Sequence, residues 1–330
     1  MSVVVPTFAD VEAAARRIAP YAVRTPLPES AELNARTGGR VFLKLEPLQR
    51  TGSFKFRGAS NTILQIPPEK RANGVVAFSS GNHAQGVAAA AAQFGLSATI
   101  VMPKDAPAAK IEGTRRLGAT VVFYDRLTDD REAIAREIVE LTGAALIQPF
   151  DNAMVVAGQG TIGLEIASDA KAMDVTLDAV IAPCGGGGLL TGIALALSGV
   201  SPTTRTLGVE PERFDGMRRS LAEGARTSAP GGELSIADAL MAPMPGQIPF
   251  ALAGSLVAAV ETVSDSELER AVSFAFQRLK IVVEPGGAAA LAAVLAGKFG
   301  IQNKAIAIVL TGGNVDIATV VRCCSVVTDP

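Results

Sequence analysis

The sequence predicts an α/β protein with two open, mainly parallel β-sheets flanked by helices. Short runs of β-branched residues alternate along the chain with Ala-rich or amphipathic segments of helical length. The apolar runs do not alternate with polar residues, and this pattern is typical of strands buried on both faces of a parallel sheet. A chain of 330 residues also exceeds the size that one hydrophobic core usually supports, so we expect two domains.

The predicted elements begin with a helix and continue as strands separated by helices. Thr7 and Asp10 have the spacing of a capping box, which predicts a helix that ends near Ile18. Residues 229–249 contain several Pro and Gly residues, which indicates a long surface loop or lid. The predicted strands are residues 41–45, 75–78, 98–102, 120–123, 179–182, 206–209, 257–263 and 305–310.

Composition excludes several classes of function. The chain has 30 Lys and Arg against 32 Asp and Glu, and it lacks Trp, so we expect neither a nucleic-acid nor a membrane partner. His83 is the only histidine, which excludes metal sites built from several histidines, and we predict no metal site. Three cysteines give no disulfide framework and no signal peptide is recognised, so we expect a cytoplasmic protein.

The run Gly185, Gly186, Gly187 and Gly188 is the strongest anomaly in the composition. It follows the strand at residues 178–183 and precedes a helix. Glycines let the backbone approach a ligand closely, and the positive end of the following helix attracts an anion. We therefore favour a phosphate site, while a tight strand-to-helix turn, which needs only one or two glycines, is the alternative.

Gly158, Gly160 and Gly163 match the spacing of the dinucleotide-binding fingerprint. That fingerprint also requires a preceding strand and an acidic residue at the end of the next strand. Here Val155 and Val156 give only a weak strand signal, and the acidic residue is missing. We therefore favour glycines that allow two helices to pack closely, and a nicotinamide enzyme is a weak alternative.

Lys55 lies between two Phe residues in a segment that is otherwise rich in small side chains. Lysines are usually exposed, so a surface lysine is the alternative on the local sequence alone. We expect Ser53 to cap a helix whose positive end lies near Lys55. Desolvation and this positive end would lower the pKa of the amine and make it a nucleophile.

Residues 79–86 combine hydroxyls, amides and a histidine after the predicted strand 75–78. Such groups at the start of a helix suit the binding of a carboxylate. The alternative is ordinary N-capping by Ser80 or Asn82. We expect His83 to be a structural group rather than a base.

These segments together resemble the pyridoxal-phosphate enzymes of fold type II, whose fold is that of the tryptophan synthase β-subunit. Residues 44–55, Lys-Leu-Glu-Pro-Leu-Gln-Arg-Thr-Gly-Ser-Phe-Lys, carry most of the resemblance, and the best matches are threonine/serine dehydratases and serine racemases. The other matching blocks follow in the family's order at residues 79–85, 157–165, 185–190, 209–211 and 311–314.

The resemblance implies pyridoxal 5′-phosphate as the cofactor and assigns its contacts. Lys55 would hold it as a Schiff base with Phe54 beside the ring, and Asn82 would hydrogen-bond to the ring hydroxyl. The neutral hydroxyl of Thr311 would face the pyridine nitrogen. The phosphate would be bound by the backbone N–H groups of Gly185, Gly186, Gly187, Gly188 and Leu189.

The resemblance also implies β-elimination, with Lys55 and Ser80 as catalytic residues. Lys55 would remove the α-proton of a 3-hydroxy-L-amino acid such as threonine or serine, and the products would be a 2-keto acid and ammonia. The alternatives are racemisation, with Ser80 as the opposite-face acid, and a dehydratase for an unusual substrate such as 3-hydroxyaspartate, phenylserine or a hydroxyectoine-pathway compound. A binding protein without turnover would not need Lys55. The substrate contacts would be Ser79, Ser80, Gly81, Asn82 and His83.

The resemblance finally implies a domain organisation and a homodimer. Residues 1–69 and 149–330 would form a large cofactor-binding domain, and residues 70–148 a small inserted α/β domain, with the cofactor between them. Relatives often bind a divalent cation through a Glu that matches Glu210. Gly216 stands where they carry an Asp, which argues against such a cation here.

Overall fold

The computed structural model describes residues 3–106 and 108–326, and it confirms the predicted fold class. The strands are β1 (Arg40–Leu45), β2 (Val75–Phe78), β3 (Ala98–Pro103), β4 (Thr120–Tyr124), β5 (Ala145–Leu146), β6 (Ala179–Pro183), β7 (Arg205–Pro211), β8 (Ala259–Val263) and β9 (Ala305–Leu310). The α-helices are α1 (Phe8–Ile18), α2 (Ala31–Thr37), α3 (Lys55–Ile63), α4 (Asn82–Gln93), α5 (Ala108–Arg116), α6 (Arg131–Thr142), α7 (Ala153–Ala172), α8 (Gly188–Val200), α9 (Gly216–Glu223), α10 (Gln247–Leu256), α11 (Asp265–Phe274), α12 (Ala289–Leu295) and α13 (Ile317–Val326).

The larger sheet has five parallel strands in the order β1-β9-β6-β7-β8. Successive side chains of a strand point to opposite faces of a sheet. Ile181 of β6 accordingly packs with α11 and α12, whereas Val180 and Ala182 pack with α7 and α8 on the other face. The central strand is therefore buried on both faces, which explains its uninterrupted apolar sequence.

The smaller sheet has four parallel strands in the order β4-β3-β2-β5. One face packs against α3 and α4, with Phe56 and Ala88 in the same apolar cluster, and the other face packs against α6. The strands of this sheet span residues 75–146. The division into a large domain and a small domain of residues 70–148 stays a proposal. In this division α3 belongs to the large domain by sequence but packs against the sheet of the small domain.

The predicted elements agree with the structure except at a few boundaries. Thr7 and Asp10 form the predicted capping box at the start of α1. The predicted strand 257–263 begins only at Ala259, because Val257 ends α10, and the two-residue strand β5 was not predicted. The predicted loop at residues 229–249 is shorter than expected at its end, because α10 begins at Gln247. None of the helices in the described ranges is both long and apolar enough to span a membrane.

The glycines of the fingerprint-like motif lie inside α7, where Gly158 packs against α3 and Gly160 and Gly163 pack against α8. A Cβ atom on Gly160 would lie 2.7 Å from the backbone oxygen of Gly192, and one on Gly163 would lie 2.8 Å from Cβ of Ala196. The motif does not follow a strand directly, because it lies within a helix that begins at Ala153. The helix-packing interpretation is therefore confirmed.

Candidate active site

A cavity lies between the two sheets, at the carboxyl ends of β2, β6 and β9. This is where open parallel sheets usually bind their ligands. The lining brings together every residue that the sequence assigned to the site, namely Phe54, Lys55, Ser79, Ser80, Gly81, Asn82, His83, Gly185, Gly186, Gly187, Gly188, Leu189 and Thr311. The roles of these residues stay predictions.

Lys55 is the first residue of α3, and its amine faces the cavity. Its Nζ donates a hydrogen bond to the backbone oxygen of Pro149 at 2.8 Å and lies 5.1 Å from the centroid of the Phe54 ring. Burial lowers the pKa of Lys55 to about 8, although the negative charge of Glu284 opposes this shift. A substantial fraction of the amine is therefore neutral near pH 8.

The predicted helix cap at Ser53 is wrong. Phe54 occupies the N-cap position of α3 without a side-chain hydrogen bond, and Ser53 Oγ is buried with no partner among the described residues. Ser53 pairs instead through its backbone with Gly312, as an isolated β-bridge. This pairing holds the turn before α3 against the end of β9.

The glycine run forms the turn from β6 into α8. Gly187 has a φ of +93°, and within the described chain no side chain caps the first turn of the helix. A Cβ atom on Gly186 would lie 2.3 Å from the Phe150 ring, and one on Gly185 would lie 3.1 Å from Cα of Leu240. A side chain is excluded at Gly186 and strained at Gly187, and it would be tight at Gly185. The uncapped N–H groups at the start of α8 can bind an anion.

The segment after β2 leads directly into α4. Gly81 occupies the N-cap position of α4, and no side chain of the described residues caps this helix, so the capping interpretation of Ser80 and Asn82 is wrong. Ser79 Oγ accepts a hydrogen bond from the N–H of Gly81 at 3.2 Å. The helix start is thus open towards the cavity, as carboxylate binding requires.

Asn82 takes part in a chain of hydrogen bonds beside Lys55. Its Nδ2 donates to Glu284 Oε1 at 2.5 Å, and its Oδ1 accepts from Asn314 Nδ2 at 2.7 Å. Glu284 lines the cavity and is buried. Burial, and to a smaller extent Asp238, raise the pKa of the Glu284 carboxyl to about 7.

His83 is buried and neutral. Its Nε2 lies 2.8 Å from the backbone oxygen of Ile147, which can only accept, so Nε2 carries the proton. Burial, together with the charge of Lys55, lowers the pKa of His83 to about 3. His83 therefore does not act as a proton carrier at neutral pH.

Several charged residues of the cavity were not predicted from the sequence. Lys110 Nζ lies 2.5 Å from Asp238 Oδ2, which links α5 to the loop before α10. Arg131 stacks over the Phe78 ring at 5.4 Å and has no ion-pair partner in the part of the chain that the structure describes. Lys110, Arg131 and Glu284 reach the cavity from distant segments, and no local motif marks these three residues.

The carboxylate of Glu210 is bound by backbone N–H groups at the start of α9. Its two carboxylate oxygens accept hydrogen bonds from the N–H groups of Met217 and Arg218, both at 2.9 Å. The neighbouring Asp215 pairs with Arg218 and Arg219. A divalent cation would have to share these oxygens with the protein groups that already bind them, so the absence of a cation stays a prediction.

Known proteins resemble this chain over nearly all of its length. The family described as pyridoxal-phosphate dependent enzymes matches residues 18–312. The L-threo-3-hydroxyaspartate ammonia-lyase of Pseudomonas sp is 46% identical over 94% of this chain and 96% of its own. The structure of a threonine deaminase from T.th. has a TM-score of 0.89 and 46% identity, covering 94% of this chain and 99% of its own. The structure of maize serine racemase has a TM-score of 0.91 and 37% identity, with 97% of both chains covered.

Proposed function

As the chain belongs to the family of pyridoxal-phosphate-dependent enzymes, we propose that it converts a 3-hydroxy-L-amino acid into a 2-keto acid and ammonia by β-elimination. One observation carries this proposal. The amine of Lys55, whose pKa is lowered, lies in the same cavity as a glycine-lined helix start that can bind a phosphate.

The residues of the cavity fit pyridoxal phosphate. The N–H groups at Gly185–Gly188 would bind its phosphate, Lys55 would bind its aldehyde carbon, and Thr311 would face its pyridine nitrogen. The fit is supported by the start of α8, which lines the cavity and which no side chain of the described residues caps. When bound, the cofactor supplies an electron sink for the charge left on the substrate's α-carbon.

The protein's own groups would bind the substrate and move its proton. The open start of α4 and the hydroxyls of Ser79 and Ser80 would hold the substrate carboxylate. The neutral amine of Lys55 would take up the α-proton, since its lowered pKa leaves it able to accept a proton near neutral pH. His83 would not compete for this proton, because its pKa is far lower.

A substrate panel tests the proposed reaction. Purified protein loaded with pyridoxal phosphate would be given L-threonine, L-serine, L-threo-3-hydroxyaspartate and phenylserine, and both keto acid and ammonia would be measured. We expect equal amounts of the two products from at least one substrate. If none of the four yields a keto acid, β-elimination is wrong.

A substrate with a second carboxylate is favoured by Arg131 and Lys110. Both cations line the cavity, and Arg131 forms no direct ion pair among the described residues, although its charge acts on the neighbouring Asp130. A second substrate carboxylate could pair with Arg131 and could displace Asp238 from Lys110. We therefore infer that 3-hydroxyaspartate is the preferred substrate, and the name of the relative from Pseudomonas sp supports this inference.

The variant Arg131→Gln tests this preference. We expect KM for L-threo-3-hydroxyaspartate to rise about 10- to 100-fold, because a hydrogen bond between charged groups is lost. KM for L-serine should change less than about twofold, because serine has no second carboxylate. Arg126→Gln is the matched control, since Arg126 pairs with Asp105 outside the cavity. Equal effects on both substrates would contradict the assignment.

Racemisation is a second candidate because Ser80 lines the same cavity as Lys55. If Ser80 supplies a proton to the opposite face of the α-carbon, Ser80→Ala abolishes the exchange of L- and D-serine while some elimination persists. Chiral chromatography of the serine pool would measure the exchange. Equal loss of both reactions would contradict this role.

We further propose that the protein acts in the cytoplasm as a homodimer on a small amino acid, without a nucleic-acid or membrane partner. Light scattering of the purified protein tests the dimer, for which we expect twice the chain mass of 33.8 kDa. A mass of one chain at working concentration would contradict it.

A further inference from the structure

We propose that Glu284 and Asn314 are positioning residues that fix the side-chain amide of Asn82, so that one N–H of this amide faces the cavity. The proposal rests on the proposed function, because it concerns the contact of Asn82 with the bound cofactor. Neither residue was singled out for this role by the sequence.

The orientation of the Asn82 amide follows from a chain of groups with fixed roles. The backbone oxygen of Thr51 can only accept, so the end of Asn314 that lies 2.7 Å from it must be the NH₂ group. The same NH₂ group lies 2.7 Å from Asn82, where it requires an acceptor, the oxygen Oδ1. Asn82 must then turn its own NH₂ group towards Glu284, whose carboxylate accepts it.

The two partners hold Asn82 from opposite sides, and they come from other parts of the fold. Asn82 begins α4 beside the smaller sheet, whereas Asn314 follows β9 of the larger sheet. Glu284 is itself fixed, because its N–H donates to the backbone oxygen of Gly312 at 3.0 Å. With an exposed fraction of 4%, Glu284 leaves water little access to replace it.

The NH₂ group of Asn82 has two hydrogens, and Glu284 uses only one of them. The second remains available to an acceptor in the cavity, such as the ring oxygen of the cofactor. Without Glu284 or Asn314 the amide could rotate and present its oxygen instead, which would repel that acceptor. The two residues thus favour ligand binding although neither needs to touch the ligand.

A double-mutant cycle tests the proposal. Glu284→Leu would be made in the natural protein and in the Asn82→Ala background, and the dissociation constant of pyridoxal phosphate would be measured by equilibrium dialysis. We expect Glu284→Leu to weaken cofactor binding about tenfold in the natural protein, and less than about twofold once Asn82 is gone. Glu284→Gln should restore binding to within about threefold, because its amide oxygen can accept the same hydrogen bond. The visible absorption band of the bound cofactor should shift in Glu284→Leu and stay in place in Glu284→Gln.

Asn314→Leu provides the same test from the other side of Asn82, and it replaces Glu284→Leu if that variant does not fold. Asn73→Leu is the control for loss of an Asn, since Asn73 is exposed and its side chain, among the described residues, hydrogen-bonds only to the backbone oxygen of Gly143. Equal weakening in both backgrounds would mean a general structural role and would overturn the proposal. No effect of Asn82→Ala alone would also overturn it, whereas failure of the proposed function would appear separately, as absence of keto acid from the substrate panel.

Discussion

Lys44 and Lys55 belong to the same sequence segment, yet Lys44 has a carboxylate partner and Lys55 forms no ion pair within the described chain. Lys44 is fully buried, and its Nζ lies 2.6 Å from Glu165 Oε2 and 2.6 Å from the backbone oxygen of Thr25. Lys55 donates to the backbone oxygen of Pro149 and has no ion-pair partner among the described residues. Burial lowers the pKa of both lysines, and a carboxylate opposes the shift in each case: Glu165, which pairs with Lys44, and Glu284, which forms no ion pair with Lys55.

The two lysines differ in burial and in partner, because Lys44 is fully buried and pairs with a carboxylate, whereas Lys55 is half-buried and has no ion-pair partner in the part of the chain that the structure describes. We expect this difference to make Lys44 a structural amine and to leave Lys55 available for chemistry. Lys44 belongs to a buried ion cluster in which Glu165 also binds Arg57, and Arg57 binds Glu46. This cluster lies against α3, the helix that begins at Lys55. The paired lysine therefore helps to hold in place the helix that carries the unpaired one.

The largest effect is expected for Lys55→Ala. Without the amine the cofactor cannot be bound covalently and the α-proton has no acceptor, so we expect the rate of keto acid formation to fall about 10⁴-fold. Because no ion pair is lost, Tm should change by less than about 3 °C. Steady-state kinetics would measure the rate of keto acid formation, and thermal denaturation would measure Tm. A large loss of stability would mean that Lys55 is structural as well.

The next largest effect is expected for Glu165→Gln, which removes the charge shared by Lys44 and Arg57. Breaking a buried pair leaves uncompensated charge, so we expect the free energy of unfolding to fall by about 3–5 kcal/mol. Urea denaturation would measure it. Glu112→Gln, which removes an exposed pair with Arg116, is the control and should cost less than about 1 kcal/mol. A similar small loss in Glu165→Gln would contradict the structural role of the cluster.

Lys44→Met should have a smaller effect on stability, about 1–3 kcal/mol, because Glu165 keeps Arg57 as a partner. Its uptake of pyridoxal phosphate should equal that of the natural protein. The two lysine variants would then affect different properties: Lys44→Met would lower the stability, and Lys55→Ala would lower the rate of keto acid formation. Loss of covalent cofactor in Lys44→Met would remove the distinction between them.

The smallest effect concerns pH. A lysine amine reacts with an aldehyde in its neutral form, and the pKa of Lys55 is lowered to about 8. The rate of cofactor uptake by the apoprotein should therefore rise about tenfold per pH unit below pH 8 and level off above it. Stopped-flow absorbance would follow the uptake. A rise that continues to pH 10 would mean that Lys55 has the pKa of an ordinary lysine.

Local patterns in the sequence predicted most of the fold, because the strands of a parallel sheet are uninterrupted apolar runs. Strand β5 was missed because Ala145 and Leu146 are too few residues to form a pattern. Ser53 was wrongly assigned as a helix cap. Its side chain is of a type that caps helices, but its backbone pairs with Gly312 and α3 begins after Phe54. Local propensity lost there to a tertiary contact.

The site was predicted only as far as its residues lie in compact motifs. Lys55 and the glycine run could be identified because neighbouring residues made them unusual. Arg131 and Glu284 could not be identified, since each is an ordinary charged residue in its own segment and only the fold brings it to the cavity. Even the resemblance to known enzymes did not indicate which arginine faces the cavity.

The pairing of β1 with β9 has a consequence for the order in which the molecule forms during synthesis. The smaller sheet is made from one continuous stretch, residues 75–146, and can assemble as soon as that stretch has left the ribosome. Strand β1 is made earlier but has to wait for β9 at residues 305–310. The apolar residues of β1 therefore stay without their partner strand until β9 has been synthesised, and this delay prolongs the exposure of the nascent chain to aggregation.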